Sequence, residues 1–251
     1  MIQIMGHRGG RDLWPENSLR GFREAITLGV DLVEFDVHVA RDGELMVIHD
    51  PTLDRTTEGS GPVNRLDGRD IRAIRLKDAA DEGVPTLDMV LALFAQARTG
   101  VFVEIKTDPT GTPYAGAEAK VLAALERHRM MDRAGILSFV PEILETARRL
   151  VPGVKVQAPI FRQTAQMYGG LDRMIQRLDR IEGCLISIER NVIAAAREHC
   201  MGLIPASRFC VDTTNDPDEI AFWVRQDARH ICTDRPDLAL AARDASKTTR
   251  A

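Results

Sequence analysis

The sequence predicts an α/β fold, a (β/α)8 TIM-type barrel with a small insertion over its C-terminal rim. Two observations carry this expectation. Short β-branched runs alternate with longer amphipathic patterns along the whole chain, the signature of parallel βαβ units. Eight such units also fit the 251-residue length, at which barrels are routinely single domains. Residues 1–251 are therefore expected to form one barrel domain, with 51–85 as the insertion within it. Unit counting alone also accommodates a doubly wound sheet.

The first strand is expected at 2–5, running into "GHRGG", where glycines loosen the turn around His7 and Arg8. In 17–28, Leu19, Phe22, Ala25 and Ile26 recur at helical spacing, and Asn17 or Ser18 can cap this helix after Pro15. A strand follows at 31–39. "ARDGE" at 40–44 reads as a hairpin turn, so 44–48 should run antiparallel to that strand or extend it. The 51–85 segment is rich in Gly, Asp, Arg and Thr and lacks a long period. Helices are then expected at 86–97, 115–128, 141–150 and 215–226. Strands are expected at 101–105, 135–139, 154–158, 184–188, 209–212 and 230–232. The polar tail after Asp244 reads as frayed.

Composition narrows the function classes. A formal net charge of −4, with both signs scattered, gives no nucleic-acid footprint. There is no basic n-region with a long apolar stretch behind it, and no apolar run of roughly 18 residues. Cys184, Cys200, Cys210 and Cys232 show no CxxC pairing and read as reduced core residues. A soluble, cytoplasmic protein without membrane insertion is expected, with homo-oligomerisation left open.

The candidate chemistry lies on two strands. In "DLVEFDVHVA", Val33, Phe35, Val37 and Val39 share the face that helices must cover, which turns Glu34 and Asp36 inward. In "VFVEIK", Phe102, Glu104 and Lys106 face inward in the same way. Three carboxylates in one space repel unless a cation joins them. All-oxygen ligation favours one divalent Mg²⁺ or Ca²⁺. Alternatively, Lys106 pairs with Glu104 or Glu34 in a structural ion network. His7 and His49 end strand-like runs at what should be the same rim, where two imidazoles suit acid–base chemistry. Arg8 and Lys106 suit an anionic group such as phosphate. His38, His128, His199 and His230 read as satisfied core histidines.

With these residues in view, the chain resembles the glycerophosphodiester phosphodiesterases. The resemblance rests on "GHRGG", "PENSLRGFREAITLGVDLVEFDVHVARDGELMVIHDPTLDRTTEGSG", "VPTLDMVL", "VEIK" and "CTDRP". It implies a metal-dependent barrel hydrolysing a small-molecule glycerophosphodiester to an alcohol and glycerol 3-phosphate. The family's catalytic pair falls on His7 and His49, its metal carboxylates on Glu34, Asp36 and Glu104, and its phosphate contacts on Arg8 and Lys106. There are two departures. "DTTN" at 212–215 puts Asp212 where the family carries Trp, and "QDARHI" lacks its usual glycine turn. Head-group preference is therefore not carried over. A lysophospholipase D-like enzyme and a catalytically silent barrel binding phosphorylated metabolites are the alternatives. The first would want an exposed apolar rim, and the second should have lost one of the five acid–base and metal residues.

Overall fold

The computed structural model describes residues 2–79 and 81–248. Nine strands occur among them: β1 (Gln3–His7), β2 (Leu32–Val39), β3 (Leu45–Val47), β4 (Gly100–Ile105), β5 (Ala134–Leu137), β6 (Lys155–Ile160), β7 (Leu185–Glu189), β8 (Phe209–Asp212) and β9 (His230–Thr233). Eight are parallel and run β1-β9-β8-β7-β6-β5-β4-β2, and a further β1–β2 pairing closes the ring. Closure excludes the doubly wound alternative. β3 is the exception: it lies antiparallel on β2, with Val37 opposite Val47, as the hairpin reading expects.

The helices are α1 (Leu19–Leu28), α2 (Gly68–Ala73), α3 (Leu87–Phe94), α4 (Ala117–Arg127), α5 (Pro141–Leu150), α6 (Arg162–Met167), α7 (Leu171–Asp179), α8 (Arg190–Leu203), α9 (Pro217–Trp223) and α10 (Pro236–Thr248). Ser18, rather than Asn17, caps α1, its hydroxyl accepting from the Gly21 N–H at 2.9 Å. The tail is a correction. α10 runs through Thr248, with Lys247 paired to Asp244 and Leu238 and Ala242 packed on the core; its apolar stripe overrides the polar composition. Residues 249–251 lie outside the described residues.

Strand alternation splits the interior into two layers. Val33, Phe35, Val101 and Val103 face outward and are fully buried under the helices. The Phe35 ring lies 5.5 Å from Phe22 of α1 and 6.2 Å from Phe94 of α3. Each such side chain removed from water stabilises the fold by about 1.5–3 kcal/mol. Inside the ring, Met5, Leu32, Phe102, Leu137 and Cys232 fill the lumen. Gly135 leaves room for the Phe102 ring, since a Cβ there would lie 2.4 Å from it. These apolar side chains plug the lumen below the strands' C-terminal ends.

The 51–85 stretch holds α2, a 3₁₀ turn at Val63–Arg65 and its own apolar cluster, including Leu53, Val63, Ile71 and Leu76. Arg55 ties it to Glu16 through two bonds of 2.8 Å. All four cysteines are free and buried. Among the described residues no helix is long and apolar enough to cross a membrane.

The remaining histidines divide. His38 is satisfied by the Tyr114 hydroxyl and the His49 carbonyl, each at 3.0 Å. His128 meets Asp88 at 2.8 Å. His199 is a correction: it is exposed on α8 and pairs with Asp172 at 2.6 Å, while its neighbour Cys200 takes the buried face of the helix. His230 is buried, with Nδ1 3.5 Å from Cys210 Sγ and Nε2 without a hydrogen-bond partner. Burial, and then Arg229, push it down to about 3 from 6.5. The unfolded chain therefore binds a proton that the fold refuses. Stability present above pH 6.5 is lost as pH falls towards 3, by up to about 1.4 kcal/mol per pH unit. His230→Asn should lose less melting temperature than the wild type between pH 7 and pH 4.5. Parallel acid limbs would show that His230 does not set this sensitivity.

Candidate active site

β1 delivers His7 to the rim, and the chain turns at once through Arg8 (φ 51°), Gly9 (φ 92°) and Gly10 (φ 117°). Three successive left-handed residues suit glycine, and Gly10 is also crowded by Pro236 and Trp14 at 3.0–3.1 Å from a would-be Cβ. The turn points the Arg8 N–H at Glu34 Oε2, 3.1 Å away. The buried Arg8 guanidinium lies 3.4 Å from Asp36 Oδ2 and donates to Glu16 Oε1 at 3.1 Å.

Glu34 and Asp36 come from β2 and Glu104 from β4, in neighbouring register with Asp36 opposite Glu104. One oxygen from each carboxylate lies within 4.8 Å of the others, and all three side chains are buried. Lys106 Nζ sits 2.6 Å from Glu104 Oε1 and 2.9 Å from Asp36 Oδ1. The ion network is therefore real, but with Asp36 and Glu104 rather than Glu34. Two cations face three carboxylates, and Glu34 Oε1 has no hydrogen-bond partner. Burial, then Asp36 and Glu104, raise Glu34 well above the usual carboxylate range. Burial also raises Glu104, to about 7. Burial opposes ionisation of Asp36, but Lys106 and Arg8 outweigh it and hold Asp36 far below its ordinary value. An orphaned carboxylate oxygen in an all-oxygen donor set fits a hard divalent cation.

The histidines arrive by different routes. His7 Nδ1 lies 2.5 Å from Asp234 Oδ1, leaving Nε2 towards Glu34 Oε2 at 3.9 Å. His49 follows the antiparallel β3, at the rim where the sequence reading expects it. β3 runs back towards the rim from above, the Ile48 N–H bonds the Asp36 carbonyl at 3.1 Å, and His49 enters the mouth from the far side. Its Nδ1 meets Asp50 at 2.7 Å, which Arg55 grips in turn. Burial, with Lys106 and Arg8 adding to it, pushes His49 down to about 4 although Asp36 pulls the other way.

His7, Arg8, Glu34, His49, Glu104 and Lys106 all line one cavity of ≈ 430 Å³, a size suited to a small ligand. Asp36 lies behind them, held by the Asn17 amide at 2.8 Å. Sequence reasoning missed the supporting residues: Asn17, Asp50, Asp234 and the Arg55–Glu16 clamp. "PENS" and "CTDRP" carried Glu16, Asn17 and Asp234 in plain view, but no local pattern says that Asn17 reaches Asp36 or that Asp234 reaches His7.

Comparison with known proteins bears on this cavity. Residues 7–238 match the glycerophosphoryl diester phosphodiesterase family. A glycerophosphodiester phosphodiesterase of Caldanaerobacter subterraneus subsp. tengcongensis is 34% identical over 158 residues, covering 61% of this chain and 64% of the relative. Glycerophosphodiester phosphodiesterase 1 of Homo sapiens is 32% identical over 155 residues, 59% of this chain and 46% of the relative. The matched part thus spans less than two thirds of each relative's length. A solved glycerophosphodiester phosphodiesterase from Agrobacterium tumefaciens superposes with a TM-score of 0.73 at 26% identity, covering 96% of this chain and 100% of that one. The family match takes in His7, His49, Glu34, Asp36, Glu104, Arg8 and Lys106, and by that extent the chain belongs to the glycerophosphoryl diester phosphodiesterase family.

Proposed function

We propose that this protein hydrolyses glycerophosphodiesters to an alcohol and glycerol 3-phosphate; its relatives are named glycerophosphodiester phosphodiesterases. The observation that carries the proposal is the shared cavity, which sets paired cations and two carboxylate-backed imidazoles around three buried carboxylates. Glu34, Asp36 and Glu104 are the residues that would hold a divalent ion, Mg²⁺ or Ca²⁺, which supplies Lewis-acid polarisation of the phosphoryl group when bound. Arg8 and Lys106 meet charge growing on the phosphoryl oxygens. Asp234 accepts the Nδ1–H of His7, so Nε2 keeps a lone pair and takes the proton from the attacking hydroxyl. His49 gives a proton to the departing alcohol. Burial first, and then Lys106 and Arg8, depress its value in the free site and oppose this role; an arriving phosphate anion offsets the part due to Lys106 and Arg8. A reducing, cytoplasmic setting is part of the proposal, supported by the four free thiols.

The test is release of glycerol 3-phosphate from purified protein with a panel of glycerophosphodiesters. It is measured after EDTA and again after return of Mg²⁺, Ca²⁺ or Mn²⁺. Activity lost to chelation and restored by one of these ions is expected; a fully active chelated protein would remove the metal, and no release from any diester would remove the proposal. Arg8→Ala and Lys106→Ala should each lower kcat on the order of 10²-fold, the usual loss for a well-placed electrostatic donor. Unchanged rates for both would make them purely structural partners of the carboxylates.

A further inference from the structure

The cavity has two unlike walls. Arg8, Lys106, Glu34 and Glu104 make one of them, and Phe139, Phe161, Glu189 and Asp212, at the ends of β5 to β8, make the other. The two rings meet edge to face, 5.0 Å apart at 82°, and the Lys106 ammonium lies 5.9 Å from the Phe139 ring at the junction of the walls. Asp212 is 8% exposed and receives the Thr213 hydroxyl at 2.6 Å, with the Cys232 thiol as a further neutral partner. Glu189 receives the Arg162 N–H at 3.1 Å and the Asn191 amide at 3.0 Å. Among the described residues no Lys or Arg side chain forms an ion pair with either. The two arginines on this side are engaged elsewhere, Arg11 with Asp234 at 2.9 Å and Arg190 with Glu219 at 3.4 Å.

Between the walls lies Gln157. It is fully buried, and neither its Oε1 nor its Nε2 has a hydrogen-bond partner, although it lines the cavity. Leaving a buried amide unpaired is costly, so its place at the cavity surface points to a partner that arrives with a ligand. The neighbouring surface defines that ligand's chemistry. Aromatic faces attract cations, including quaternary ammonium groups. Two carboxylates without counter-ions select positive charge and disfavour an anion or a neutral polyol. The amide oxygen of Gln157 can accept from an N–H or from a hydroxyl next to the cation.

We propose that this wall is a leaving-group subsite for a positively charged amino alcohol. The enzyme then prefers glycerophosphodiesters whose alcohol carries an ammonium or trimethylammonium group. The inference rests on the phosphodiesterase reading above and adds to it the substrate class. The anionic phosphate lies against Arg8 and Lys106, the cation against Asp212, Glu189 and the rings, and the diester spans the cavity along its charge gradient.

The test compares kcat/KM for the choline ester, the ethanolamine ester and the uncharged 3,3-dimethylbutyl ester of glycerol 3-phosphate, the last being the carbon isostere of choline. Glycerol 3-phosphate release from wild-type protein should favour the charged esters at least tenfold over the isostere. In Asp212→Asn and Glu189→Gln, singly and combined, that ratio should collapse towards unity. Phe161→Ala separates the two head groups, costing the choline ester more than the ethanolamine ester if the rings hold the methyl groups. Equal kcat/KM for charged and uncharged esters in the wild type, a measurement that needs no variant to fold, would overturn the subsite and leave the phosphodiesterase reading standing. A preference undiminished in both carboxylate variants would overturn its assignment to this wall. Silence on every ester would overturn both readings together.

Discussion

Glu34→Gln, Asp36→Asn and Glu104→Gln are each expected to abolish metal-stimulated release of glycerol 3-phosphate while leaving the barrel folded. Each exchange is isosteric and removes one negative donor from a cluster whose ligand atoms lie within 4.8 Å of one another. A hard cation held by three carboxylates loses both charge and ligand strength with any one of them. The fold should tolerate the change, because these side chains repel one another and burial already pushes Glu34 and Glu104 towards their neutral forms. Asp36→Asn is the harshest of the three, since Lys106 and Arg8 both lean on that carboxylate. Calorimetric titration with Mg²⁺ and Ca²⁺ should show the binding heat disappear, and thermal melts should show cooperative unfolding retained. Variants that regain full activity after chelation and metal return would show that the site lies elsewhere.

A substrate whose glycerol 2-hydroxyl is replaced by hydrogen is expected to bind and not to react. In the proposed route that hydroxyl attacks the neighbouring phosphorus, forming an O–P bond as the bond to the departing alcohol breaks. Its proton passes to His7 Nε2, a proton from His49 goes to the leaving oxygen, and water then opens the cyclic phosphate to glycerol 3-phosphate. A nucleophile already tethered beside phosphorus makes the step intramolecular, which is worth roughly 7–11 kcal/mol of barrier. His7 is well prepared for its part, its Nδ1 fixed by a carboxylate 2.5 Å away that is fully buried. Competition by the deoxy analogue against a normal substrate measures its binding, and phosphorus NMR follows its turnover. Hydrolysis of the analogue at a near-normal rate would replace this route with direct attack by water.

What was legible in the sequence is what strand alternation encodes. A strand covered by helices on one side must place Val33 and Phe35 there, which leaves Glu34 and Asp36 no choice but the lumen; the same holds for Val103 against Glu104 and Lys106. Turn chemistry is local too, so "ARDGE" announces the β2–β3 hairpin and the Asn17–Ser18 pair announces the start of α1, leaving the structure to choose Ser18 as the cap. Helices α2, α6, α7, α8 and α10 are not identified individually by the sequence. α6 is only six residues long and α8 is kinked at Ala196, which breaks the period that exposes a helix to sequence reading.

The sequence by itself determined which side chains face the lumen, because a period of two fixes a residue's face without reference to any other strand. It did not determine who meets whom there. Ring closure between β1 and β2 brings His7 opposite Glu34, and the β1–β9 pairing brings Asp234 to His7 across 227 residues of chain. The antiparallel return of β3 carries His49 to the same mouth, and Arg55 reaches Glu16 only once the 51–85 segment has folded over it. Lys106 chooses Asp36 and Glu104 over Glu34 for the same reason. Ion pairs and hydrogen bonds are decided by separations of a few ångströms between strands, and those separations exist only after the barrel has closed.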